Sequence, residues 1–504
     1  MLIASQTPKP TPARLKTVMA GALLAMVLAA LDQNIVNTAL PRMVEDLGGV
    51  THLSWVVTAF MLSSTTTTPL YGKLSDIYGR RRLFFIAIVV FLAGSLLCGT
   101  AQTMGQIIAY RAVQGLGAGG LLVLSQAAIG DVVSPRERPR YQGLFTGTFA
   151  LSSVAGPLLG GVITSALSWR WVFYINLPVG LLALGMIAAG LREPPPGRPR
   201  PIDFAGAAML ACATAALLLL LAWGGTEFPW LSAPTAALVA ATVVLAIAFV
   251  WWEARAPEPL VRLALFRNTV FARGVAVSGM MAFGMLGATT FLPLYFQLVL
   301  GMDPAVAGLM MLPQVAGMLL SSIICGRIVS RLGRYRPFLL IGLALEVAGL
   351  ASLAMFAFIA APPAAFLVSM GGLGLGMGMG MPNLSTAVQN AVAHRELGAA
   401  MGAMTFVRSL GGALGVAVSG SIMAQRLGAA FADGTVDMAA LARRGAQPGA
   451  ALDTLHQAGI SAAYRVALTN CFLTSAVVMA VAFVLVLGLP ERALRSEIDD
   501  APAA

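Results

Sequence analysis

The stretch Tyr71–Leu83 reads YGKLSDIYGRRRL and lies between two long apolar runs. It joins one carboxylate, Asp76, with Lys73, Arg80, Arg81 and Arg82 in what reads as a loop framed by Gly72 and Gly79. A second version lies at Cys325–Arg336, CGRIVSRLGRYR. Gly72 pairs with Gly326, Gly79 with Gly333, Arg80 with Arg334 and Arg82 with Arg336, each pair 254 positions apart. Two related membrane halves in one chain are the organisation of a transporter. Ser330 stands where the first copy has Asp76, so the role of that carboxylate is one-sided.

The rest of the chain agrees with a membrane reading. Of its 504 residues 58% are hydrophobic and 11% charged, against about 25% charged in soluble domains. Apolar runs of about 20 residues, the length that spans a bilayer, number fourteen. Their cores begin at Thr17, Ser54, Leu83, Gly105, Tyr141, Val172, Phe204, Ala233, Arg273, Ala305, Phe338, Ala364, Ala399 and Val466. The net charge of +11 is unevenly distributed. Loops assigned to one side hold most of the basic residues, among them Lys9, Arg14, Lys16, Arg136, Arg138, Arg140, Arg262, Arg327, Arg331 and Arg395. The other side holds Arg42, Arg170, Arg426, Arg443, Arg444 and Arg465. Short basic loops stay in the cytoplasm, which explains the charge without a nucleic-acid partner and puts both termini there. The first apolar run is full length, lacks a cleavage site and holds an acid, so it is read as a span and not a signal peptide. Cys98, Cys212, Cys325 and Cys471 fall in or at the ends of apolar runs, as small packing residues do.

The expected organisation is an all-α polytopic protein. A cytoplasmic tail (1–16) precedes a six-helix bundle (17–193). A linker (194–268) opens with the Pro-rich PPPGRPRP and carries two further spans. A second six-helix bundle (269–489) includes a long outer loop (425–465), and a tail (490–504) ends the chain.

Charges inside spans are few, and each costs several kcal/mol to bury unless paired or wet, so each is a functional candidate. Asp32 lies in LDQNIVNTALP with Gln33, Asn34 and Asn37 around it; Arg111 lies in YRAVQGLGAGG with Gln114 about one turn on. The two charges fall at similar depth on the first and fourth spans, so they can interact directly or through a polar neighbour. Either the pair is a proton-linked carboxylate tuned by a cation, or it is a fixed ion pair joining two helices. Glu346 and Arg408 match in depth in the second half; Glu346 is a further proton-coupling candidate, or an acid held by a local hydrogen bond or lining a wet crevice. Gln126, Asn383 and Arg408 join Gln33, Asn34, Asn37 and Gln114 as candidates for lining a substrate cavity. The four-residue spacing of Gly372, Gly376 and Gly380 allows close helix packing. Pro382 is expected to break or kink the twelfth span. Met370, Met377, Met379 and Met381 are core filler or a surface for varied apolar ligands.

Asp76, at the inner end of a helix, can face the N-terminus of another helix, whose dipole favours an anion. The thirteenth span begins near Leu397 on the same side. Gly72, Asp76, Gly79 and Arg80 are therefore candidates for a cytoplasmic gate. In the fifth span, Gly156–Pro157 bends the helix and Gly160 and Gly161 permit close packing. There is no Walker glycine–lysine loop, no metal cluster and no Ser-His-Asp constellation, so neither an enzyme nor a cofactor or metal is expected.

These motifs resemble the major facilitator superfamily, specifically its fourteen-helix drug:proton antiporters. GKLSDIYGRRR at Gly72 resembles that superfamily's signature loop. LDQNIVNTALP resembles the first-helix motif of the fourteen-helix group. RAVQGLGAG at Arg111 resembles the fourth-helix motif, and AGPLLGG at Ala155 the antiport motif of the fifth. WRWVFYINLPVG at Trp169 is also similar to this group. The resemblance implies two six-helix bundles rocking about a central cavity, with two extra helices between them. It implies export of lipophilic, often cationic compounds in exchange for protons; a bacterial inner membrane is the expected location. It gives Asp32 and Arg111 coupling roles, Asp76 the inner gate, and Gly156 and Pro157 the antiport helix. A monomer is expected, with a periplasmic adaptor and an outer-membrane channel as conceivable partners. An exporter of an endogenous lipid, siderophore or secondary metabolite is the first alternative; a non-transporting membrane sensor or assembly partner is the second.

Overall fold

The computed structural model describes residues 12–49, 52–191, 203–224, 227–432 and 454–494, and among them the fold is helical with no named strand. The helices of the first half are α1 (Pro12–Leu47), α2 (Leu53–Tyr78), α3 (Arg80–Thr100), α4 (Met104–Val132), α5 (Arg138–Ala166) and α6 (Trp171–Gly190). Two further helices follow, α7 (Phe204–Trp223) and α8 (Ala233–Glu253). The second half holds α9 (Thr269–Gln297), α10 (Val306–Leu332), α11 (Arg336–Phe358), α12 (Pro363–Ala391), α13 (Leu397–Ala432) and α14 (Thr454–Leu487). Thirteen of these are long and apolar enough to cross a membrane. The remaining one is α2. It spans 26 residues but carries SSTTTT at its centre, and Lys73 and Asp76 near its end. The hydroxyls of Ser63, Ser64, Thr67 and Thr68 bond back to their own helix, Ser63 to the Ala59 carbonyl at 2.8 Å, which satisfies these polar groups within the helix.

Several starts carry local signals. Thr103 accepts from the Gln106 N–H, Asp203 from Gly206, and Asn268 from Val270 and Phe271, each satisfying a first-turn donor. The stretch that opened the sequence reading is not a loop. Helix α2 runs to Tyr78 and α3 starts at Arg80, so Lys73 and Asp76 are helical and Gly79 alone makes the turn. Its φ is +91°, and its repeat partner Gly333 has φ +73° at the end of α10, a conformation that favours glycine.

The first-half helices pack on one another through α1–α5, α2–α4 and α3–α4, and the second through α9–α13, α10–α12 and α11–α12. The halves meet along two seams related by the repeat, α2 against α13 and α5 against α10. The repeat glycines sit in these seams. A Cβ on Gly72 would strike the Gly398 carbonyl and approach Gly402 Cα at 3.1 Å; one on Gly326 would stand 2.5 Å from the Pro139 carbonyl. The two copies thus keep glycine for the same two reasons, a positive φ and a backbone pressed against the other half.

Helix α7 packs on α8, α2 and α13, so the inserted pair lies beside the α2–α13 seam. Its partner α8 exposes Val243, Val244, Ile247, Val250 and Trp251, an apolar flank suited to hydrocarbon. Helix α12 continues through Pro382 without a break. The outer interval is shorter than expected, because α13 extends to Ala432 and α14 starts at Thr454. The rest of that interval, the Pro-rich start of the linker and both tail ends lie outside the described residues.

Candidate functional site

Asp32 stands in the middle of α1 and is fully buried. Its Oδ2 accepts from Arg111 Nη1 at 2.6 Å. Its Oδ1 accepts from Gln114 Nε2 at 2.8 Å and from Asn176 Nδ2 at 2.7 Å. Arg111 also donates to the Gln114 Oε1 at 2.7 Å and from Nε to the Val56 carbonyl at 3.3 Å, and its guanidinium lies 4.0 Å over the Phe60 ring. Ser95 on α3 receives Gln114 Nε2 and Asn176 Nδ2, and donates to the Phe173 carbonyl at 2.8 Å. Five elements, α1, α2, α3, α4 and α6, therefore converge on one carboxylate. A buried ion pair is tolerable only when its remaining lone pairs and protons are met in this way.

Sequence reasoning brought Asp32, Arg111 and Gln114 to one place but missed Ser95, Asn176 and Phe60. Asn176 was within reach: it is a lone amide beside an apolar run, in a stretch already singled out by resemblance.

The other candidates scatter. Gln33 and Asn34 are half-buried and Asn37 is exposed; Asn34 donates to the Ala30 carbonyl of its own helix at 2.7 Å. Gln114 is enclosed in the Asp32 cluster. Gln126 and Asn383 are buried; the Gln126 backbone carbonyl accepts from Gln389 Nε2 at 3.3 Å and Asn383 Nδ2 donates to the Met379 carbonyl at 2.7 Å, while Gln126 Oε1 and Asn383 Oδ1 have no hydrogen-bond partner among the described residues. Gly156 and Gly160 press on α1 within the turn that follows Asp32, where an added Cβ would stand 2.6 Å from Asn34 Cβ or 2.8 Å from the Ile35 carbonyl. Gly161 does not take part in this packing; it faces open space. Arg408 is half-buried and has no hydrogen-bond or ion-pair partner among the described residues. Glu346 is 2% exposed and its Oε1 has no partner among the described residues. It is wedged against Gly376 and Gly380 of α12, with Met281 of α9 beside it.

At the face bearing the basic turns the two halves are bonded across both seams. Asp76 Oδ1 accepts from the Gly398 N–H at 3.0 Å and Oδ2 from Ala399 at 2.8 Å, the first turn of α13. Arg80 backs this carboxylate, 2.7 Å from Asp76 and 2.9 Å from Asp131, and also bonds the Ser75 hydroxyl. At the other seam Arg136 donates to the Ser330 and Arg331 carbonyls at 3.4 and 3.1 Å, the last turn of α10. An anion thus meets a helix start at one seam and a cation meets a helix end at the other, each the favourable sign for the dipole. Arg138 adds a bond to the Gln389 carbonyl at 3.3 Å, and Ser322 one to the Gly143 carbonyl at 3.0 Å.

A family model described as Major Facilitator Superfamily matches residues 22–416. The chain belongs to the Major Facilitator Superfamily. Two curated superfamily relatives come from Bacillus subtilis (strain 168). Multidrug transporter protein MdtP is 36% identical over 413 residues, covering 82% of this chain and 76% of that protein. Multidrug resistance protein 3 is 35% identical over 408 residues, covering 81% and 79%. Among solved superfamily structures, the human organic anion transporter MFSD10 superposes with a TM-score of 0.63 at 17% identity, over 95% of this chain and 100% of that one. The superfamily fold accounts for the repeat and the two seams, and the protein is a multi-pass membrane transporter and not an enzyme.

Proposed function

We propose that this transporter is a proton-driven antiporter that exports lipophilic, cationic compounds across a bacterial cytoplasmic membrane by alternating access. The observation that carries the reading is the single buried carboxylate of α1, ion-paired to Arg111 and met by two amides. A proton arriving at Asp32 removes its charge and frees Arg111 to find other acceptors, so protonation and helix packing are coupled through one contact. Coupling needs the two ligands to prefer different states; Gly156 and Gly160 hold α5 against the turns of α1 that follow Asp32, which links that event to a neighbouring helix. Glu346, a carboxylate bare at Oε1, is the second candidate for proton exchange. Gln33, Asn34 and Asn37, with Arg408, are the polar groups left to meet substrate.

The basic face is assigned to the cytoplasm because short basic loops stay there. In that orientation the bonds of Asp76, Arg80, Arg136 and Arg138 would close the inner gate, as expected of an outward-facing member of the cycle. The relatives named as multidrug transporters support the drug reading. The transport unit is one chain, and in a cell with two membranes an adaptor and outer channel would complete the route.

The test uses inverted vesicles with an internal pH dye and an imposed proton gradient, to which a lipophilic cation is added. Gradient dissipation in wild type but not in Asp32→Asn is the expected result. Equal dissipation in both would move the coupling carboxylate to Glu346. No response in either, with correctly inserted protein, would refute cation antiport and favour an endogenous lipid or metabolite as substrate.

A further inference from the structure

Lys73 belongs to the opening motif, yet it takes no part in the Asp76–Arg80 cluster. Its ammonium is buried and lies 3.1 Å from Glu258 Oε2. Glu258 belongs to the connector that leads from the inserted helices into the second half. The same Oε2 is 3.8 Å from Arg262 Nη2, and Arg262 Nη1 is 2.6 Å from Glu396 Oε1. Four charges of alternating sign therefore run from α2 of the first half, through the connector, to the residue preceding α13 of the second half. The arms of this chain are partly or largely enclosed, with side-chain exposures of 7% for Lys73, 20% for Glu258, 32% for Arg262 and 18% for Glu396.

The connector is not a slack tether. Glu253, the last residue of α8, accepts from the backbone N–H groups of Leu260 and Val261 at 3.3 and 3.2 Å. Asp203 accepts from the Trp252 indole N–H at 2.8 Å, which ties the start of α7 to the end of α8. At the opposite membrane face Trp223 of α7 meets Trp55 of α2 edge-on, with centroids 5.4 Å apart. The inserted pair is thus fixed to α2 at both ends, by Trp55–Trp223 and by Lys73–Glu258. From this assembly α7 packs against α13, and the Arg262–Glu396 ion pair reaches the residue before that helix in the other half.

We infer that the inserted helices and connector ride with the first half as a brace, and that Arg262–Glu396 is a second inner latch, separate from Asp76, which must part when the basic face opens. The inference rests on the proposed reading of the basic face as a gate. It gives the extra helix pair a mechanical role: the pair sets how readily the inner face opens.

The experiment places spin labels at Arg140 and Leu332, exposed positions on opposite halves, and reads distance distributions in the purified full chain. Asp76→Asn is the control for the gate itself. Arg262→Glu is expected to raise the open-to-closed ratio about three- to tenfold, the effect of losing a partly shielded ion pair and placing two acids together. The swap Arg262→Glu with Glu396→Arg is expected to restore the wild-type ratio, and Lys73→Gln to lower the rescue. Glu396→Gln serves if Arg262→Glu does not give monodisperse protein. An Asp76→Asn chain that opens beside an Arg262→Glu or Glu396→Gln chain that does not would overturn the latch and leave the gate standing. Failure of Asp76→Asn as well would overturn both, and a swap that fails to rescue would show that the pair acts only through local packing.

Discussion

Replacing Gly72 by alanine adds one methyl group at the α2–α13 seam. The new Cβ would collide with the Gly398 carbonyl and stand 3.1 Å from Gly402 Cα. Both obstacles are backbone of the opposite half, so no side chain can swing away. Overpacking a close contact by a methyl group costs about 1–3 kcal/mol. Because the contact joins the two halves, that cost falls only on the state in which the basic face is closed. The closed-to-open ratio should therefore drop by about 5- to 150-fold. Gly94→Ala is the matched control. Its Cβ would stand 2.5 Å from Gln114 Cα, but α3 and α4 belong to the same half. It should lower thermal stability without changing the ratio. The assay is the Arg140–Leu332 spin-label distance in both variants. A Gly72→Ala distribution identical to wild type, in protein that is folded and monodisperse, would refute the claim that this seam separates during the cycle.

Two further outcomes follow from the buried and exposed charges. Asn176→Ala removes the donor 2.7 Å from Asp32 Oδ1 and should cost about 1–3 kcal/mol of stability, read as a lower melting temperature in detergent, with a weakened proton response in vesicles. Arg170→Ala breaks an ion pair to Asp46 that is as short, 2.6 Å, but whose side chains are 33% and 48% exposed; it should cost less than about 1 kcal/mol, and a larger drop in melting temperature would count against solvent screening there.

The division of labour between sequence and structure follows from what each residue type reveals. Asp32 and Arg111 were legible because a charge in an apolar run has few innocent explanations. Ser95 and Asn176 were not, because a neutral polar residue in such a run usually bonds its own helix, and only the fold brings α3 and α6 to Asp32. The link from Asp76 to the start of α13 was legible from the sign of the helix dipole. Arg262–Glu396 was not, since nothing in a linker arginine indicates a partner 134 positions away. The expected loop around Asp76 failed for a local reason: one glycine at positive φ turns the chain, so no further loop residues are needed. Of the break or kink expected at Pro382, the break is absent, because a membrane helix packed among neighbours tolerates the missing N–H.

A transporter built from two matching halves has two lateral doors to the bilayer, one at each seam. Here α7 stands against α2 and α13, while among the described helices no inserted element covers the line between α5 and α10. The doors are therefore unequal. If the proposed lipophilic substrate enters from the surrounding lipid, it meets an inserted helix at one seam and none at the other, so its traffic is expected to be one-sided even though the scaffold is two-fold.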